Sequence, residues 1–141
     1  MRFMGLDVGD RRIGVALSDE QGLIAFPLEV IDRTSRADDV RRIKELVERY
    51  GAQRVVVGVP KTLSGRLGRQ AEKVLKFLEA LHTALPVPVV PWDERLTTVQ
   101  VEKLLVSADL RRRKRRKVVD KLAASLILNS YLSSLKSDET T

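Results

Sequence analysis

The chain contains no cysteine. That excludes disulfides, thiolate nucleophiles and cysteine-ligated zinc, and suits a reducing compartment. It holds a single histidine, His82, on a segment with helical spacing. No histidine-based triad and no histidine zinc cluster can be assembled within one copy. Long apolar runs are missing, and no stretch approaches the length of a membrane span. Asp7, Asp10, Arg11 and Arg12 interrupt the place where the apolar core of a signal peptide would lie, so none is expected. The expected location is the cytoplasm. The loops also lack a Walker A pattern, since GVPKTLSG does not carry its lysine and hydroxyl at the required spacing.

What the sequence has is charge, unevenly placed. Its 141 residues are 43% hydrophobic, enough for one core in one soluble domain. The net charge is +7, from 26 basic and 19 acidic residues. Arg111, Arg112, Arg113, Lys114, Arg115, Arg116 and Lys117 stand in an unbroken run. Outside that run, basic and acidic residues are equal in number. A focused positive field attracts polyanions, nucleic acid before membrane. A solvated charged loop is the plainer reading. The run has no apolar side chains and its charges repel, so a mobile loop is expected there.

The hydrophobic period changes along the chain. Residues 3–8 and 13–18 read as strands joined by GDRR, and Leu23 to Ile31 returns as a third. Pro27 marks that third strand as an edge or a break. Val40, Ile43, Leu46, Val47 and Tyr50 recur at helical spacing, with Thr34 or Ser35 as the cap and Gly51 as the stop. RVVVGVP reads as a strand buried on both faces. A loop follows at 61–68, then a helix marked by Ala71, Val74, Leu75, Leu78 and Leu81 and ended by Pro86. PVVPW is a fifth strand. Thr97 and Gln100 have capping-box spacing for a short helix to about Val106. The last helix is expected over Val118 to Leu135. The order implies a mixed five-stranded sheet with helices on both faces, in one domain over 1–136 with a frayed polar tail at 137–141.

Three acidic positions stand apart from the solvated ones. Asp7 ends an apolar first strand. Asp93 and Glu94 follow the last strand. Asp120 lies in the first turns of the last helix, near the small Ala123 and Ala124, which would let that helix approach the sheet closely. In open α/β sheets, sites form beyond the carboxyl ends of strands. Convergent carboxylates repel unless a divalent cation sits among them, and an all-oxygen set suits Mg²⁺ or Mn²⁺. Two such ions would serve phosphodiester hydrolysis. Spacing alone leaves a local reading open, in which Asp7 caps a turn, Asp93 or Glu94 pairs with Arg95, and Asp120 pairs with a neighbouring lysine. Arg11 and Arg12 are either backbone grips for a substrate or hairpin surface. Lys61 and Arg66 are candidates to touch phosphates. Trp92 suits either base stacking or the core.

The segments GLDVGDRRIGVALSD at 5–19, GVP at 58–60 with Gly65, DERLTT at 93–98 and VDKLAASLIL at 119–128 resemble the YqgF family, also called RuvX. The likeness covers nearly the whole chain. It implies a ribonuclease-H-like fold and a nuclease that matures the 5′ end of the small-subunit ribosomal RNA precursor. Holliday junction resolution on DNA is one alternative, and a non-catalytic ribosome-assembly factor that binds nucleic acid is another. The resemblance implies Asp7, Glu94 and Asp120 as catalytic metal ligands for Mg²⁺ or Mn²⁺. Asp93 is read as a supporting residue. Arg11, Arg12, Lys61, Arg66, Arg95 and the basic run are read as nucleic-acid contacts. The partner is structured RNA or branched DNA, with the chain a monomer or homodimer. The loop after GVP departs from the family's asparagine- and aspartate-containing turn, reading KTLSG instead.

Overall fold

The structure is a computed structural model that describes residues 1–60, 68–94 and 112–139, with the side chains of the final segment described at 119–136. Strands β1 (Phe3–Val8), β2 (Arg12–Ser18) and β3 (Ala25–Asp32) come first. Helix α1 (Arg36–Tyr50), strand β4 (Arg54–Val59), helix α2 (Arg69–Ala84) and strand β5 (Val89–Asp93) follow. Helix α3 (Arg112–Glu139) closes the described chain.

The strands form one sheet in the order β3-β2-β1-β4-β5. Tight turns make the first three antiparallel, whereas crossovers through α1 and α2 make β1, β4 and β5 parallel. This is the mixed sheet of a ribonuclease-H-like fold, with Asp7 on its central strand. β3 is an edge, as Pro27 requires, and its register with β2 shifts between Val15 and Ala16. β3 starts two residues later than the apolar pattern suggests. The Asp19 carboxylate accepts from the Leu23 and Ile24 amides at 2.7 and 3.0 Å, which keeps those residues in the turn.

Alternation along the strands divides two cores. Met4, Leu6, Val55 and Val57 face α1 and α2, packing with Ile43, Leu46, Val74 and Phe77. Phe3, Ala16 and Val56 face α3, packing with Ala124, Ile127 and Leu128. The Ser35 hydroxyl caps α1 by accepting from the Asp38 amide, and Gly51 ends it at a φ of 67°.

Both ends of the last helix also differ from the sequence reading. α3 begins at Arg112, so residues 112–117 of the basic run form its first turns and are not a loop. Arginine and lysine are good helix formers, and the well-packed Ala123–Leu132 segment nucleates a helix that they extend. Asp120 consequently lies well inside the helix. At the other end α3 continues to Glu139, into the segment read as a frayed tail. Residues 61–67 of the loop expected at 61–68, and the short helix expected from Thr97 to about Val106, lie outside the described residues.

Candidate nuclease site

The site is built on the α3 side of the sheet, where glycines clear a path for other groups. On β1, a β-carbon placed at Gly5 would stand 2.7 Å from Leu128 Cβ and 3.0 Å from the Ala124 carbonyl. Helix α3 therefore lies hard against the strand, as Ala123 and Ala124 suggest; both are fully buried. Asp7 is two residues further along, so its side chain projects from this same face. Only 9% of Asp7 is exposed.

Glycines flank Asp7 on both neighbouring strands. Its register partner on β2 is Gly14. A β-carbon there would overlap the backbone carbonyl of Asp120, so α3 crosses β2 at that residue. On the other side the last β1–β4 pair is Leu6 with Val57, and one residue beyond it come Asp7 and Gly58. A β-carbon at Gly58 would lie 2.8 Å from Glu94 Oε1 and 3.2 Å from Glu94 Cγ. Glu94, 4% exposed, thus folds back from the end of β5 over the bare backbone of Gly58. The glycines on either side of Asp7 admit the other two acidic residues.

The Asp120 carboxylate has a defined partner. Arg12 Nε donates to Asp120 Oδ2 at 2.8 Å, with both side chains about three-quarters buried. Arg12 shares the α3-facing side of β2 with Gly14, two residues away. Among the described residues, no three histidine, cysteine, aspartate or glutamate side chains lie close enough to hold one metal ion. Asp7, Glu94 and the backbone of Asp120 lie at neighbouring positions on one face of the sheet, while the Asp120 carboxylate is engaged by Arg12, so the three carboxylates as placed do not form one ligand set.

Asp93 is on the other side. It pairs in register with Val59, which belongs to the α1–α2 core, whereas the preceding Trp92 faces α3. Trp92 is partly buried against the α3-side core. Its Nε1 donates to Ser130 Oγ at 3.1 Å, and its ring meets Tyr131 edge-on with centroids 5.4 Å apart. Arg12, read either as a grip on the substrate backbone or as hairpin surface, pairs with Asp120. Arg11 is exposed in the β1–β2 turn. Lys61, Arg66, Arg95 and Arg111 lie outside the described residues, as does any contact they make. His82 sits in the last turn of α2.

Sequence reasoning passed over Arg33 and Asp39. Asp39 is nearly fully buried on α1 and accepts from Arg33 Nε at 2.9 Å and from the Thr34 amide at 3.1 Å. An acid in a helix first turn reads as a favourable dipole partner, and nothing local tells that it is interior. Among the described residues no helix is long and apolar enough to cross a membrane.

Known proteins resemble this chain along its length. The profile of the family described as "RuvX: Holliday junction resolvase" matches residues 1–134. A protein of Desulforudis audaxviator named "Putative pre-16S rRNA nuclease" is 67% identical over 141 residues, covering 100% of both chains. One of the same name from Caldanaerobacter subterraneus is 53% identical over 137 residues, covering 96% of this chain and 99% of the relative. Among solved structures, Thermus thermophilus RuvC in complex with a Holliday junction substrate superposes with a TM-score of 0.60 at 19% identity. That match covers 95% of this chain and 96% of the other, and it bears on the fold alone. The motifs, the sheet order and the profile match agree: the chain belongs to the RuvX family.

Proposed function

We propose that this chain is a metal-dependent endonuclease that hydrolyses phosphodiester bonds in nucleic acid, and that its substrate is the 5′ region of the small-subunit ribosomal RNA precursor. The observation that carries the reading is the convergence on Asp7. Two buried carboxylates, Asp7 and Glu94, and the backbone of Asp120 meet on one face of the sheet, admitted by Gly14 and Gly58. Two interior acids, with a third on the helix that crosses beside them, are a donor set that fits a divalent cation.

The donor set is all oxygen, which suits Mg²⁺ or Mn²⁺; Asp7, Glu94 and Asp120 are the residues that would hold it, and Asp120 would have to turn its carboxylate from Arg12 to join the other two. Bound there, such ions supply an activated water and stabilise the leaving oxygen of the phosphodiester. The chain's own contribution is placement. The central strand fixes Asp7, and the two flanking glycines let Glu94 and Asp120 approach it. Arg12 orients the Asp120 carboxylate and holds a positive charge at the mouth of the site. The basic residues at 112–117, on the first turns of the helix that carries Asp120, concentrate the polyanion near these acids.

The test is incubation of the pure chain with labelled precursor RNA and with four-way DNA junctions, in Mg²⁺, Mn²⁺ or EDTA. RNA cleaved to 5′-phosphate and 3′-hydroxyl ends, in metal only, is expected. Cleavage confined to the junction would make the chain a resolvase. Binding without cleavage of either would make it an assembly factor.

A further inference from the structure

We propose that Arg33 is a positioning residue for this nuclease site, acting through the main chain of the turn that joins Asp7 to Arg12. The inference rests on the proposed function. The turn Gly9–Arg12 links the strand that carries Asp7 to the strand that carries the partner of Asp120. Three of its carbonyls have defined donors. Gly9 N–H donates to the Arg12 carbonyl at 2.9 Å, the Arg33 amide donates to the Arg11 carbonyl at 2.9 Å, and Arg33 Nη1 donates to the Gly9 carbonyl at 2.9 Å. One residue thus supplies two of the three bonds.

Arg33 is itself held on three sides. Its Nε donates to Asp39 Oδ2, whose side chain is 3% exposed, so the carboxylate cannot readily exchange this partner for water. Its guanidinium lies over the Phe77 ring at 4.9 Å. Its backbone amide is committed to the turn. Phe77 belongs to the core on the α1–α2 side, and Asp7 projects from the opposite face. Arg33 therefore reaches no reacting group; it fixes the height and pitch of the turn from behind the sheet. Only arginine supplies a fork that satisfies Asp39 and the Gly9 carbonyl together, with a flat face for Phe77. A lysine keeps the charge and loses one of these bonds.

Loss of the Gly9 bond should let the turn drift without removing any ligand. Misplacement of a reacting group by about an ångström costs up to about a hundredfold in rate. For R33K and R33Q we expect kcat per folded molecule to fall about tenfold or more, KM for the RNA to stay near the parent value, and Mn²⁺ affinity measured by calorimetry to weaken. R33K should retain more of each than R33Q. Exchange of the Gly9 amide with solvent should quicken in both. Folded variants with parental kcat and parental Mn²⁺ affinity would overturn the proposal, as would a rise in KM alone. If R33Q does not fold, R33K decides. Failure of both to fold would also count against it, because it would make Arg33 a core element of stability. A parent that neither cleaves nor binds Mn²⁺ would instead remove the nuclease reading, and the Arg33 proposal with it. An active parent with unaffected variants would remove the Arg33 proposal alone.

Discussion

Arg12 Nε lies 2.8 Å from Asp120 Oδ2, across the place where helix α3 meets strand β2. The pair joins residues 108 positions apart in the chain, and it ties the turn after Asp7 to the helix that supplies the third acid. A charge-assisted bond of this exposure is worth about 1–2 kcal/mol. A double-mutant cycle of R12Q and D120N, read by denaturant melts, should return a coupling of about that size. A coupling near zero would mean that the two are neighbours without being partners.

The flanking glycines should respond differently to one added methyl group. At Gly14 the obstacle is the backbone of Asp120. A helix backbone cannot turn aside, so G14A should destabilise the fold by about 1–3 kcal/mol or more. At Gly58 the obstacles are the ends of flexible side chains, Ile127 Cδ1 at 2.5 Å and Glu94 Oε1 at 2.8 Å. G58A should cost less stability and should displace Glu94. The expected result is a folded protein with impaired cleavage. Thermal melts and cleavage rates measured together check this; equal losses of stability in the two variants would contradict it.

The fold was legible because its signals are local. Apolar alternation, the cap at Ser35, the stop at Gly51 and the proline at position 27 each act within a few residues. Asp7 could be placed on a central strand because a hairpin and a parallel crossover both need that strand. The start of α3 was less legible, because like charges argue for a loop while side-chain propensity and downstream packing argue for a helix. The partners of Arg12 and Arg33 were not legible at all. Each depends on where a distant element lands, and neither pairing leaves a spacing in the sequence.

Asp19 gives a prediction for pH. Backbone amides hold its carboxyl below the usual aspartate range, that of Ile24 first, with those of Leu23 and Gln21 adding to it. A group with a lowered folded-state pKa contributes stability above its unfolded pKa and loses it as pH falls through the folded value. Acid should therefore loosen the β2–β3 turn before the sheet. In D19N the turn amides should exchange faster at neutral pH, and the acid-dependent part of their exchange should shrink. A parental pH profile in D19N would rule out this role.

The basic turns of α3 should set the salt dependence of binding. Each lost phosphate contact lowers the slope of log affinity against log salt by about 0.7–0.9. Replacing Arg112, Arg113, Arg115 and Arg116 with serine removes four charges and should flatten the slope by up to about 3. Serine also lowers helix propensity, so circular dichroism should accompany the binding measurement. A second variant with glutamine at the same positions keeps the helix and isolates the charge. An unchanged slope in the glutamine variant would make these turns a solvated surface only.

Asp93 and Glu94 separate the metal reading most sharply, because they are adjacent and face opposite sides of the sheet. Asp93 aligns with Val59 and the α1–α2 core, and Glu94 lies over Gly58 beside Asp7. E94Q preserves size and shape while removing a ligand charge. It should lose cleavage by about 100-fold or more, in line with the effect of removing a group that stabilises developing charge, and it should weaken Mn²⁺ binding. D93N should keep both within a fewfold. D7N and D120N should behave as E94Q does, with one difference in stability. D120N leaves Arg12 without its charged partner and should melt earlier than the parent. If D93N loses activity and E94Q retains it, the strand alternation that assigns Glu94 to this face is not what governs the ligand set. If all four variants bind Mn²⁺ and cleave as the parent does, the acids are structural and the nuclease site lies elsewhere.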